Sequence, residues 1–130
     1  MERVAASLKS KIMSAEEAAQ LVKSGMSIGL SGFTSVGYPK AVPSALAASG
    51  HAKDLTILVG AAVGDDCDGA LVRAGCVKKR FGHQTNKDLR NSINAGMISY
   101  HDVPLGQMPV WVKNNFLKHI DVAIIEAAAI

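Results

Sequence analysis

MSIGLSGFTSVGYPKAVP, residues 26–43, is an apolar run that breaks into a glycine-rich loop and resumes as a helix. Met26, Ile28 and Leu30 mark a short strand over 26–30, and Gly32 and Gly37 let the backbone turn sharply and approach a ligand with no Cβ in the way. Pro39 and Pro43 suit the opening turn of a helix, where a missing amide hydrogen costs little. A helix start at that point presents unpaired amides to the loop, which favours a carboxylate, a thioester oxygen or a phosphate. The stretch is not G-x-G-x-x-G, and no Gly-Lys-Ser/Thr follows it. A strand, a glycine turn and a helix occur in any α/β domain, so on this stretch alone a binding loop and an ordinary connection both stand open.

The same arrangement recurs along the chain. Ser14-Ala-Glu-Glu17 has capping-box spacing and starts a helix to about Lys23, closed by Gly25. A helix over Lys40–Ala48 is closed by Gly50. Leu55–Val59, apolar on both faces, reads as a buried parallel strand. Gly60–Gly64 is a second small-residue loop, followed by a helix over Asp65–Ala74. Val77–Phe81 is a less apolar strand nearer an edge, and Gly82-His-Gln-Thr85 a third loop. A helix over Asn86–Ala95, a strand over Met97–Tyr100 and a partly helical stretch over Pro104–Lys118, disturbed by Pro109, precede a buried strand over Val122–Ile125. Strands alternating with helices imply an α/β fold, an open and mostly parallel sheet flanked by helices. In such sheets ligands sit beyond the carboxyl ends of the strands, which gathers the three loops on one edge.

Size and charge narrow the function classes. The 130 residues make one domain, and 48% hydrophobic with 19% charged residues is a globular composition. A net charge of +3, from 14 Lys and Arg against 11 Asp and Glu, is too small and too scattered to argue for nucleic acid. Lys78-Lys79-Arg80 is the one local excess and reads as a solvated strand end. Cys67 and Cys76 fit neither a metal nor a disulfide framework and are expected as reduced thiols of a cytoplasmic protein. No apolar run is long enough for a secretory signal or a membrane span. The chain stops at Ile130 soon after an apolar strand, as a domain cut from a longer protein would.

His83 and Thr85, at a strand-to-helix junction, offer an imidazole and a hydroxyl to a substrate oxygen, and His83 is of a type that titrates near neutrality. A loop histidine satisfied by backbone is the alternative. His51, His101 and His119 lie scattered at element ends, and no metal site is expected. Asp65, Asp66 and Asp68 read as helix caps before they read as cation ligands. Glu126, ending an apolar strand, either points toward the loop edge or pairs with Arg90 or a lysine. No nucleophile elbow is present.

Several blocks in order resemble one family. Ser31-Gly-Phe-Thr34 with GYPKAVP (37–43), GAAVGDDCDGAL (60–71), NSINAG (91–96) and DVAIIEAAAI (121–130) are together similar to the N-terminal part of the acetyl-CoA hydrolase/transferase family. The resemblance implies a CoA-transferase-like fold and an enzyme that moves CoA between an acyl-CoA and a small carboxylate such as acetate, propionate, succinate, butyrate or 4-hydroxybutyrate. It implies two similar α/β domains with the active site between them, and a glutamate nucleophile in the second half, passing through a glutamyl-CoA intermediate. That region is not among residues 1–130, so no catalytic residue is expected here, and Glu126 is similar to the family's first-domain strand, not to its catalytic motif. The substrate-binding residues implied are Ser31, Gly32, Phe33 and Thr34 in the first loop, Gly60 and Ala61 in the second, and His83, Gln84 and Thr85 in the third. Coenzyme A is then a substrate, with no permanently bound cofactor. The expected partners are acyl-CoA, a small carboxylate, the C-terminal domain of the same enzyme and further copies of the chain. Ala62, where relatives have serine, and Pro104-Leu105-Gly106, where they have His-Leu-Ser, depart from the pattern in polar contacts that bear on acyl specificity. The rival reading is a free-standing, non-catalytic domain that binds CoA or a nucleotide.

Overall fold

A computed structural model describes residues 3–62 and 65–130. Five strands, β1 (Ser27–Thr34), β2 (Leu55–Ala62), β3 (Val77–Phe81), β4 (Ser99–His101) and β5 (Val122–Ile124), form one sheet in the order β4-β3-β2-β1-β5. Every neighbouring pair is parallel, as connections running through helices require.

The helices are α1 (Ala15–Ala19), α2 (Ala41–Ser49), α3 (Ala70–Arg73), α4 (Lys87–Asn94) and α5 (Met108–Lys113). The capping box forms: the Glu17 amide donates to Ser14 Oγ and the Ser14 amide to Glu17 Oε2. Gly50 closes α2 in the left-handed conformation, and Asn86 caps α4 by accepting from the Leu89 amide at 2.9 Å. Pro109 sits in the first turn of α5 and begins that helix instead of disturbing it, because the first-turn amides have no intrahelical acceptor to lose.

The two sheet faces are covered unequally. Ile28, Leu30, Leu55, Ile57 and Val59 pack against Ala19, Leu46, Leu71 and Leu89 from α1 to α4. On the opposite face Leu58 and Phe81 meet Val103, Leu117 and, from α5, Trp111. β2 is central and its first five residues are all buried, as its apolar sequence predicts. β5 is only half-buried, against the expectation of a buried strand, because it lies at the sheet edge and contacts β1 alone. Two loops are also shorter than their glycines suggest. β1 continues to Thr34 and β2 to Ala62, with a bulge between Leu30 and Phe33 that absorbs the extra residue.

Candidate functional site

The carboxyl ends of β1, β2 and β3 lie side by side along one edge of the sheet, since the three strands are consecutive and parallel. At the end of β1 the chain makes a tight antiparallel turn: the Phe33 amide donates to Val36 O at 2.9 Å and the Val36 amide to Phe33 O at 3.0 Å. Thr34 has φ +54°, and Phe33 and Thr34 stand exposed on this turn. Ser31 is committed inward. Its Oγ donates to Gly37 O at 2.6 Å and accepts from the Glu126 amide at 3.2 Å, tying the loop to the chain beyond β5. Gly32, at φ +120°, makes a close approach to its own fold: a Cβ there would lie 2.7 Å from Tyr38 Cβ and 3.0 Å from Ala62 Cβ.

Glu126 is both near this edge and paired. Lys40 Nζ lies 2.9 Å from its Oε2, donates to Tyr38 O at 3.1 Å, and stands 4.2 Å from the centre of the Tyr38 ring. The pairing with Glu126 raises the Lys40 ammonium above its ordinary pKa. Lys40, Ala41, Val42 and Glu126 line a cleft of about 350 Å³ between the start of α2 and the end of β5. The first intrahelical bond of α2 runs from the Ser44 amide to Lys40 O, so Pro43 forfeits no bond and the amides of Ala41 and Val42 precede the ladder.

Gly60 and Ala61, half-buried, end β2 next to the first loop, with Ala61 paired to Phe33. The tip of the second loop through Gly64 lies outside the described residues. Asp65 and Asp68, which follow, pair with side chains instead of capping a helix. Asp65 accepts from Asn86 Nδ2 at 2.6 Å and from Arg73 Nη1 at 3.1 Å, and these bonds, Arg73's foremost, hold its carboxyl below the usual range. Asp68 is 5% exposed and pairs with Arg80 at 3.1 Å. Within the π-helical turn Asp65–Gly69, Asp65 and Asp68 therefore direct their carboxylates at side chains 8 to 21 residues away.

His83 and Thr85 are exposed on the third loop, and Gln84 is half-buried with its Oε1 enclosed and without a hydrogen-bond partner. Gly82 has φ +95°, and a Cβ on it would fall 1.9 Å from Val59 O. The Lys78-Lys79-Arg80 run is not a uniformly solvated strand end: Lys78 is exposed, whereas Arg80 is fully buried. Strict alternation from Val77 places 78 and 80 together. The register slip between β2 and β3, where Leu55 faces Val77 but Thr56 faces Lys79, rotates Arg80 onto the helix-covered face instead. The buried pairing of Arg80 with Asp68 is what sequence reasoning missed. An arginine between a lysine and a phenylalanine, 12 residues after an aspartate, is no signal on its own.

Cys67 is 2% exposed, and burial pushes its thiol up to about 12. Among the described residues no three His, Cys, Asp or Glu side chains gather as a metal site, and no helix is long and apolar enough to cross a membrane.

An open parallel sheet with glycine-bearing turns and an arginine-held loop along its carboxyl edge defines the α/β class that binds ligands across that edge. Within that class the chain belongs to the acetyl-CoA hydrolase/transferase N-terminal domain family, whose profile matches residues 1–130. It is 39% identical over 127 residues to succinyl-CoA:acetate CoA-transferase of Clostridium kluyveri, covering 95% of this chain and 24% of that protein. It is 35% identical over 125 residues to propanoyl-CoA:succinate CoA transferase of Escherichia coli K12, covering 91% of this chain and 25% of that protein. Acetyl-CoA hydrolase of Schizosaccharomyces pombe is 34% identical over 145 residues, covering 95% and 28%. The chain thus spans about a quarter of the length of the curated relatives it matches. Among solved structures, glutaconate coenzyme A-transferase of Acidaminococcus fermentans superposes with a TM-score of 0.66 at 27% identity, covering 88% of this chain and 36% of that one.

Proposed function

We propose that this chain forms one wall of the substrate pocket of a CoA-transferase or acyl-CoA hydrolase that moves CoA between an acyl-CoA and a small carboxylate such as acetate, propionate, succinate, butyrate or 4-hydroxybutyrate. The observation that carries the reading is the match of the whole chain to the family's N-terminal domain, with three loops of the matched fold on one sheet edge.

In this reading Phe33, Thr34, His83 and Thr85 present exposed side chains to substrate, while Gly60, Ala61 and Gln84 form the floor behind them. Ser31 and Gly32 act through backbone shape, since the Ser31 hydroxyl is already engaged with Gly37 and Glu126. The nucleophile is a glutamate beyond residue 130. Its carboxylate attacks the thioester carbonyl and expels CoA as the thiolate, leaving an acyl-glutamyl anhydride. The thiolate returns to the glutamyl carbonyl, releasing the first carboxylate and forming glutamyl-CoA. A second carboxylate then repeats the two steps in reverse order, or water hydrolyses the thioester.

The test is CoA exchange between acetyl-CoA and succinate, followed alongside acyl-CoA hydrolysis. The full-length protein is expected to catalyse one or both, and residues 1–130 alone neither. Turnover by the isolated chain, or a full-length protein inert toward all five carboxylates and toward water, would overturn the reading.

A further inference from the structure

Arg80 lies beneath the third loop with every donor of its guanidinium engaged. Nε and Nη2 both reach Asp68 Oδ2 at 3.1 Å. Nη2 also donates to His83 O at 3.1 Å, and Nη1 donates to Gly82 O at 3.2 Å, Val59 O at 3.4 Å and Phe81 O. One buried cation thus gathers carbonyls from the end of β2, the end of β3 and the loop beyond, while Asp68 neutralises it. A planar five-donor fork can do this; a lysine's point charge cannot.

The carbonyl directions have a consequence on the other side of each peptide plane. None of the described peptide bonds is cis, and in a trans peptide the N–H lies antiparallel to the C=O of the same plane. With the Gly82 and His83 carbonyls turned onto Arg80, the amide N–H groups of His83 and Gln84 turn away from it. Among the described residues neither of these amides meets an acceptor. Two unpaired amide donors on consecutive residues of a fixed loop are what a ligand oxygen would satisfy.

We propose that Arg80 is a positioning residue of the substrate site: by holding the carbonyls of Gly82 and His83 inward it presets the amides of His83 and Gln84 as donors to a carboxylate or thioester oxygen. This rests on the reading of the third loop as part of the substrate wall.

The experiment uses the full-length enzyme, with acetate or succinate as acceptor. In the wild type, saturation with the carboxylate slows hydrogen exchange in a peptide spanning residues 82–86. Arg80→Lys keeps a charge opposite Asp68 but loses the fork. It is expected to abolish that protection and to raise KM for the carboxylate about tenfold, the worth of one hydrogen bond, with kcat within about twofold. If Arg80→Lys lowers only the melting temperature, and KM and protection stay as in the wild type, Arg80 is structural and the proposal is overturned. If Arg80→Lys does not fold, the wild-type exchange decides: slowing at 82–86 supports preset amides, and no slowing overturns them. Thr85→Ala separates the two readings. A raised KM in Thr85→Ala beside an unaffected Arg80→Lys sinks only the role of Arg80, whereas unchanged kinetics in Thr85→Ala with no protection at 82–86 sinks the third-loop wall itself.

Discussion

Replacing Gly32 by alanine tests whether the first loop is shaped by its own packing. Two costs combine at this position. A φ of +120° lies where only glycine is comfortable, and holding another residue there costs about 1–3 kcal/mol. A Cβ 2.7 Å from Tyr38 Cβ and 2.9 Å from Tyr38 Cα cannot be relieved by rotating a side chain, because both neighbours are fixed to backbone. Overpacking of this kind costs about a further 1–3 kcal/mol. The total of about 2–6 kcal/mol is a large share of the ~5–15 kcal/mol by which a domain is held folded. Gly37→Ala is the matched control: its φ is +68°, but the nearest atom to the added Cβ is Gly32 Cα at 4.0 Å, so it carries strain without a clash. Urea unfolding followed by circular dichroism should rank Gly32→Ala below Gly37→Ala by at least about 1 kcal/mol. Equal losses in the two variants would refute the packing argument, and Gly32 would revert to a residue kept open for ligand.

Ser14→Ala removes one half of the α1 capping box and is expected to cost about 1 kcal/mol, seen as a melting temperature lower by about 4 °C; an unchanged melting temperature would show that α1 is held by the burial of Ala19 and not by its cap. The Asp65 carboxyl, depressed by Arg73 and then Asn86, binds its proton less readily folded than unfolded. Its contribution is therefore complete above the unfolded value near ~3.9 and is lost as pH falls through the lower folded one. Asp65→Asn should flatten stability against pH below about 4 and leave the slope above that unchanged. Cys67, at 2% exposure and with its thiol raised to about 12, should react with a disulfide reagent at mildly alkaline pH only as fast as the domain opens, so labelling on mixing would contradict its burial.

The local elements are legible in the residues themselves. A serine three before a glutamate caps α1, Asn86 caps α4, glycines end α2 and α3, and an uninterrupted apolar run marks the central strand β2. These signals act within one turn of helix or one strand, so the amino acids alone determine them, and their alternation determines the parallel α/β class. The candidate site is only half legible. Which loops share an edge follows from strand order, but what each side chain does there depends on partners far along the chain. Ser31 is engaged by a residue 95 positions away, Lys40 by one 86 positions away, and Arg80 by an aspartate 12 positions before it. A one-residue slip between β2 and β3 turns Arg80 from the solvent side into the core, and a place at the sheet edge leaves β5 half-exposed despite its apolar sequence. Periodicity and capping are properties of neighbours in sequence. Register, edge position and ion pairing are set when distant segments compete for the same space, and only the tertiary structure decides them.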